Sequence, residues 1–371
     1  MSFQGLNYSR RLRSTPYTPR VESLGVSGYS IVNHTVLPKG FRKSVTEDYW
    51  HLREHVQLWD VGCQRQVELK GRDAAKLAQM MTPRDLRKAV VGQCLYAPMI
   101  DHKAGMLNDP IILKLADDHF WFSISDSDVL LWAKGLAHGL GLTVEVDEPD
   151  VWPMSIQGPK SDDLMAQIFG DEVRNIGFFK FKWLEFKGHS LLIARSGFSK
   201  QGGFEIYLDR PELALDLWDS LWEAGQPFEV SPGCPNLIER IEGGLFSYGN
   251  EMTRENNPIE SGLEQYCQLD GSLEYIGSQA LLQIANAGVA RQLRGIRFDS
   301  ENCPQCKNPW ALSINGAWVG QITSAAWSPR FKQSVALAMV EKIALEPGTS
   351  VRIQTEYGDS HEGTVTLLPM E

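Results

Sequence analysis

The sequence predicts an α+β body over residues 1–280, followed by a small all-β barrel or sandwich over residues 281–371. Three observations carry that division. Helix-period and strand-period segments alternate up to about Val289. Beyond it the helical period stops, and QLRGIRF, ALSINGAWVGQI, SVALAMV, SVRIQTE and EGTVTLL read as short strands. Among these, Asn315-Gly316 between alternating residues signals a two-residue hairpin, because both residues accept the positive φ that such a turn needs.

The elements follow in order. Glu47–Val56 is charged and amphipathic and predicts a helix, Arg65–Leu69 alternates as a strand, and Asp73–Met81 returns to a helical period. CLYAPMI, DPIILKL and HFWFSI form a strand meander, with a turn at His102–Gly105. Ser127–Leu140 predicts a helix capped by Ser127. VWPMSIQ is an apolar strand that leads through Gly158-Pro159 into a helix ending at Phe169. Phe178–Phe186 and Ser190–Arg195 alternate as paired strands, and Phe204–Leu208 extends their sheet. Amphipathic helices are predicted over Pro211–Ala224 and Asn236–Ser247.

The chain has 371 residues, 43% hydrophobic and 22% charged, a globular composition long enough for two or three domains. No apolar run approaches the ~20 residues that span a bilayer. A net charge of −10 speaks against a nucleic-acid partner, which would require a basic surface. Only the first residues are basic, with Arg10, Arg11, Arg13 and Arg20, and this segment lacks the apolar core of a secretory signal, so a cytoplasmic protein is expected. Cys303 and Cys306 form the one close cysteine pair; with no further ligand nearby, reduced thiols and no metal are expected. A monomer or homodimer is the expected assembly.

Signatures for nucleotide phosphates, dinucleotides, serine hydrolases and zinc proteases are absent. What stands out is Arg195-Ser-Gly-Phe-Ser-Lys-Gln-Gly-Gly-Phe-Glu-Ile-Tyr207. Gly197, Gly202 and Gly203 interrupt a strand-like run, which marks a bulge, a tight turn or a close approach of a ligand to the backbone. The run delivers Glu205, whose carboxylate suits the paired N–H groups of a ring such as a pterin. His34, His55 and His102 read as surface or structural histidines, and Trp121, Trp132 and Trp152 as core.

These residues carry a resemblance. Arg195–Glu205 resembles the signature R-x-G-Y-x-G-E-x-G-Y-E of the T-protein (aminomethyltransferase) family. In the same order Trp59-Asp60-Val61 resembles F-D-x-S, Gly105–Asp109 resembles G-I-L-D-D, Ile156–Pro159 resembles L-Q-G-P, and Arg240-Ile-Glu-Gly with Tyr248-Gly-Asn250 resembles R-x-E-A-G and Y-G-x-D. The resemblance implies a three-domain folate-binding fold, with two interleaved α+β domains in residues 1–280 and a C-terminal β-barrel. It implies tetrahydrofolate as a ligand, with Glu205 on the pterin, Arg240 near the folate, and Tyr96 and the catalytic Asp109 beside the reactive nitrogens. Ring-stacking aromatics are implied at Phe178 and Phe198.

Asn108 replaces the first aspartate of the D-D pair, and Lys200-Gln201 replaces Gly-Glu in the signature. These departures, with Ser14–Glu22, Glu54–Val61 and Ser231–Arg240, resemble the dimethylsulfoniopropionate demethylase subgroup of the family. That likeness implies a sulfonium methyl donor held among the rings of Tyr17, Phe198 and Tyr207, and tetrahydrofolate as methyl acceptor. Phe198 stands where the subgroup carries tryptophan. Another onium or methylamine donor and a non-catalytic folate binder therefore stay open as alternatives.

Overall fold

The structure, a computed structural model, describes residues 9–300 and 302–371; residues 1–8, where the basic N-terminal segment begins, lie outside the described residues. The chain forms two compact units, each from three stretches: Met1–Leu77, Ala89–Leu95 and Pro110–Asn236 in one, Ala78–Lys88, Tyr96–Asp109 and Leu237–Glu371 in the other.

The first unit is built on a six-stranded sheet in the order Phe181–Phe186, His189–Ala194, Gly203–Leu208, Trp152–Gln157, Gln57–Asp60, Ser231–Gly233. Its pairs are antiparallel except the last. Residues directly opposite one another share a face, and neighbours along a strand alternate. Register therefore sorts the sheet cleanly. Phe204, Ile206 and Leu208 share one face with Met154 and Ile156, and Leu164, Met165, Leu217, Trp218 and Leu221 pack on it from the helices Ser161–Phe169 and Ala214–Ala224. The opposite face carries Glu205, Tyr207, Ser155 and Trp59.

Beyond Tyr207 on that second face lie Trp121 and Leu113 of a five-stranded sheet, which runs Glu145–Asp147, Gln66–Lys70, His119–Ser123, Ile111–Ala116, Cys94–Tyr96. The helix Val45–Glu54 is started by a capping box in which Ser44 and Glu47 satisfy each other's backbone N–H groups.

In the second unit, six strands between Arg291 and Thr366 close into a barrel, Arg291–Phe298 pairing with both Gln333–Glu341 and Ser360–Thr366. The Asn315-Gly316 turn has φ of 50° and 81°, so the hairpin forms where it is expected. The architecture is α+β with a C-terminal closed barrel. Among the described residues no helix is long and apolar enough to cross a membrane.

Several local expectations need correction. The helix expected over Asn236–Ser247 covers only Leu237–Gly243, because Gly244 turns the chain at φ 60°. Phe179 at φ 55° delays the strand expected from Phe178 until Phe181. Asp128, not Ser127, occupies the cap position of the helix Val129–Gly139 and makes no side-chain cap; the Ser127 N–H donates instead to Asn33 Oδ1 at 3.2 Å.

Candidate functional site

In the first unit the signature folds back on itself. The strand Gly203–Leu208 places Glu205 on the face away from the helices, where it is only 5% exposed. Ser196 Oγ donates to Glu205 Oε2 at 2.5 Å. Burial pushes the Glu205 carboxyl above its ordinary range, and the hydroxyls of Ser196 and Tyr207 partly oppose that push. Tyr207 is buried one alternation further along the strand. Its hydroxyl is held well above the usual tyrosine value, by burial first and by Glu205 second. It feels Glu205 and Ser123 yet meets no partner at close hydrogen-bond geometry. Among the described residues no cation pairs with Glu205.

The three glycines lie in and after the turn between the strands His189–Ala194 and Gly203–Leu208, all at positive φ. A Cβ on Gly197 or Gly203 would collide with the side-chain amide of Gln157, and Gly202 faces open space at φ 79°. The groups that approach the backbone there are the protein's own: Gln157 at Gly197, and the Ile156 carbonyl together with Gln157 at Gly203.

In the second unit Tyr96 donates its hydroxyl to Asp109 Oδ2 at 3.0 Å, and Asn108 Oδ1 accepts the Asp109 N–H at 3.0 Å. Burial raises the Tyr96 hydroxyl well above its usual value, and Asp109 adds to the rise. Tyr266 stands edge-on to Tyr96 at 5.1 Å, and Arg84 donates to the Tyr96 carbonyl at 2.6 Å. Arg240 is buried and closes a triangle, donating to Glu251 Oε2 at 2.9 Å and to Ser324 Oγ at 2.6 Å, while Ser324 donates to Glu251 Oε1 at 2.6 Å. Asp109 and Tyr96 are thus brought together.

The aromatic residues are sorted less simply. Phe178 is 76% exposed, its ring 4.6 Å from that of Phe179. Phe198 packs against Leu52, Trp59 and Val61, and Tyr207 against Trp121. Tyr17 corrects the expectation of one three-ring cage. It is fully buried in the helix-covered core beside Trp218, with its hydroxyl donating to the Trp152 carbonyl at 3.1 Å. It therefore lies on the face of the sheet opposite Tyr207. Ser196, Gln157 and Trp59 were not singled out by sequence reasoning. All three sit inside the quoted motifs, the only signal that pointed to them.

Residues 18–271 match the GCVT N-terminal domain, and residues 291–370 match the glycine cleavage T-protein C-terminal barrel domain. The chain belongs to the glycine cleavage T-protein family. Within it, the chain is 49% identical over 350 residues to the dimethylsulfoniopropionate demethylase DmdA of Ruegeria pomeroyi, covering 94% of this chain and 95% of that protein. It is 27% identical to an aminomethyltransferase of Thermoanaerobacter sp. over 324 residues, 85% of this chain and 86% of the relative. The fold superimposes on the crystal structure of the glycine cleavage system aminomethyltransferase T from Bartonella henselae with a TM-score of 0.87, at 23% identity over 96% of this chain and 98% of that one.

Proposed function

We propose that the protein is a tetrahydrofolate-dependent demethylase that transfers a methyl group from a sulfonium donor, dimethylsulfoniopropionate, to tetrahydrofolate, giving methyltetrahydrofolate and the demethylated thioether. One observation carries the folate half. Glu205 is a buried carboxylate with hydroxyl neighbours and no cation among the described residues, and such a group is costly unless a ligand supplies donors. Paired N–H groups of a pterin supply them. The likeness to the Ruegeria pomeroyi demethylase supports the donor half.

When bound, tetrahydrofolate supplies the nucleophilic nitrogen that receives the methyl group. The chain's own residues bind, orient and keep water away. Glu205 takes the pterin edge, Phe178 offers a ring face, and Arg240 fixes the segment near the folate. Asp109, aligned by Tyr96, is the catalytic residue that orients the folate and disperses the proton lost on alkylation. A sulfonium already has a neutral leaving group, so holding the methyl carbon in line is the chief demand. Phe198 and Tyr207 line the donor side, where aromatic faces contribute about 0.5–2 kcal/mol each towards a cation. Tyr17 is left out of this assignment by its place in the core. The proposal includes a cytoplasmic enzyme, monomer or homodimer, acting on small molecules.

The test is direct: incubate the purified protein with tetrahydrofolate and a panel of sulfonium and betaine compounds, and follow methyltetrahydrofolate. Product with dimethylsulfoniopropionate is the expected outcome; no product with any donor overturns the assignment.

A further inference from the structure

Two buried glutamines lie side by side on the Glu205 face. Gln157 is opposite Gly203 on one side and Gln57 on the other. Each holds a different piece of one aromatic contact. Gln57 Oε1 accepts the Trp59 indole N–H at 2.8 Å, and its Nε2 donates to Asp48 Oδ1 at 2.9 Å. Gln157 Nε2 donates to Ser155 Oγ at 2.9 Å and to the Ser196 carbonyl at 3.1 Å, while its Oε1 accepts from Ser199 Oγ at 2.7 Å. Gln157 thus ties down Ser196 and Ser199, the two ends of the short turn that presents Phe198. Trp59 and Phe198 pack in one cluster.

The surrounding glycines are shaped around these amides. A side chain at Gly197 or Gly203 would strike Gln157, and one at Gly233 would strike Gln57 and the Trp59 ring nitrogen. Both rings are therefore set by fixed polar anchors and not by packing alone. Among the described residues no lysine or arginine lies over the Trp59 or Phe198 ring.

We infer that Gln157 is a positioning residue for the methyl donor: with Gln57 beside it, it fixes the Ser196–Ser199 turn so that Phe198, backed by the Trp59 indole, presents an aromatic wall to an onium group. The inference rests on the proposed demethylase reading.

The test compares Gln157→Met and Ser199→Ala with the wild-type full chain by three measurements: donor KM and kcat with dimethylsulfoniopropionate, the tetrahydrofolate dissociation constant, and amide hydrogen exchange across residues 196–203. Gln157→Met is expected to raise donor KM about tenfold or more and the folate dissociation constant by a clearly smaller factor, since Gln157 also holds Ser196, the partner of Glu205, with kcat within about threefold and faster exchange in the turn. Ser199→Ala removes one bond from a partly exposed turn and is expected to raise donor KM about threefold; it decides the matter if the methionine variant does not fold. Unchanged donor KM in folded variants overturns the inference, and so does a parallel rise in donor KM and folate dissociation constant. A wild-type protein that consumes no donor overturns the functional reading instead, and exchange across 196–203 alone then decides whether Gln157 is the clamp.

Discussion

At Glu205, chemistry and burial pull in opposite directions. A carboxylate this enclosed loses hydration that Ser196 replaces only in part. Glu205→Ala is expected to weaken tetrahydrofolate binding by about 1–3 kcal/mol or more, through pterin donors left unpaired; equal affinity in a titration of the two proteins would remove Glu205 from the site. Asp60 poses a separate residue-scale problem. It is buried, takes hydrogen bonds from Thr15 Oγ1 at 2.5 Å and the Gly62 N–H at 3.1 Å, and its carboxyl is pushed up by burial to about 7 from 3.8. The folded chain therefore keeps this proton up to about pH 7, whereas the unfolded chain releases it near 3.8. Between those values folding takes up a proton, so this group's contribution is fully present below the lower value and lost as pH rises through the higher one. Asp60→Asn is expected to flatten that slope and to be more stable than wild type at pH 8, on the order of 1–4 kcal/mol. Urea unfolding from pH 4 to pH 8 measures it, and parallel curves for the two proteins would refute it.

Among the elements, most strands were legible because alternation reports directly which residues a sheet buries. Trp152–Gln157, His189–Ala194 and Gly203–Leu208 lie within a residue or two of their expected limits. Helix ends were less legible, since Gly244 and the absence of a side-chain cap at Asp128 are decided by local hydrogen bonding and backbone angle. Two elements yield measurable expectations. Ser44→Ala opens the capping box of Val45–Glu54 and should cost about 1 kcal/mol, read as a lower unfolding midpoint. Gly203→Ala, at φ 147° with the Ile156 carbonyl and the Gln157 amide in the way of a Cβ, should cost upwards of about 3 kcal/mol and reduce the folded yield. Normal expression and melting of that variant would show the strand start to be more compliant than its geometry implies.

For the molecule as a whole, each compact unit gathers three separate stretches of the chain, and neither is continuous in sequence. Within the second unit the Arg240–Glu251–Ser324 triangle joins the helix Leu237–Gly243 to the barrel strand Ala317–Ser328. Glu251→Ala would leave a buried guanidinium with only a hydroxyl, at a cost of about 3–5 kcal/mol. A drop in the melting temperature well beyond that of Ser324→Ala is expected by calorimetry. Equal effects would mean that the charge pair matters no more than the hydroxyl.

Taken by itself, the sequence determined the kinds of element and their order, the barrel's hairpin turn, and a set of motifs whose succession marks the family. Those properties are written locally, in period, turn chemistry and short spacing. Only the tertiary structure decided that Tyr17 and Tyr207 lie on opposite faces of one sheet, that Gln157 fills the space cleared by Gly197 and Gly203, and that Tyr96 holds Asp109. Alternation tells which residues of a strand point the same way, but not which strand pairs with it or what covers each face; those are settled by contacts between residues far apart in the chain.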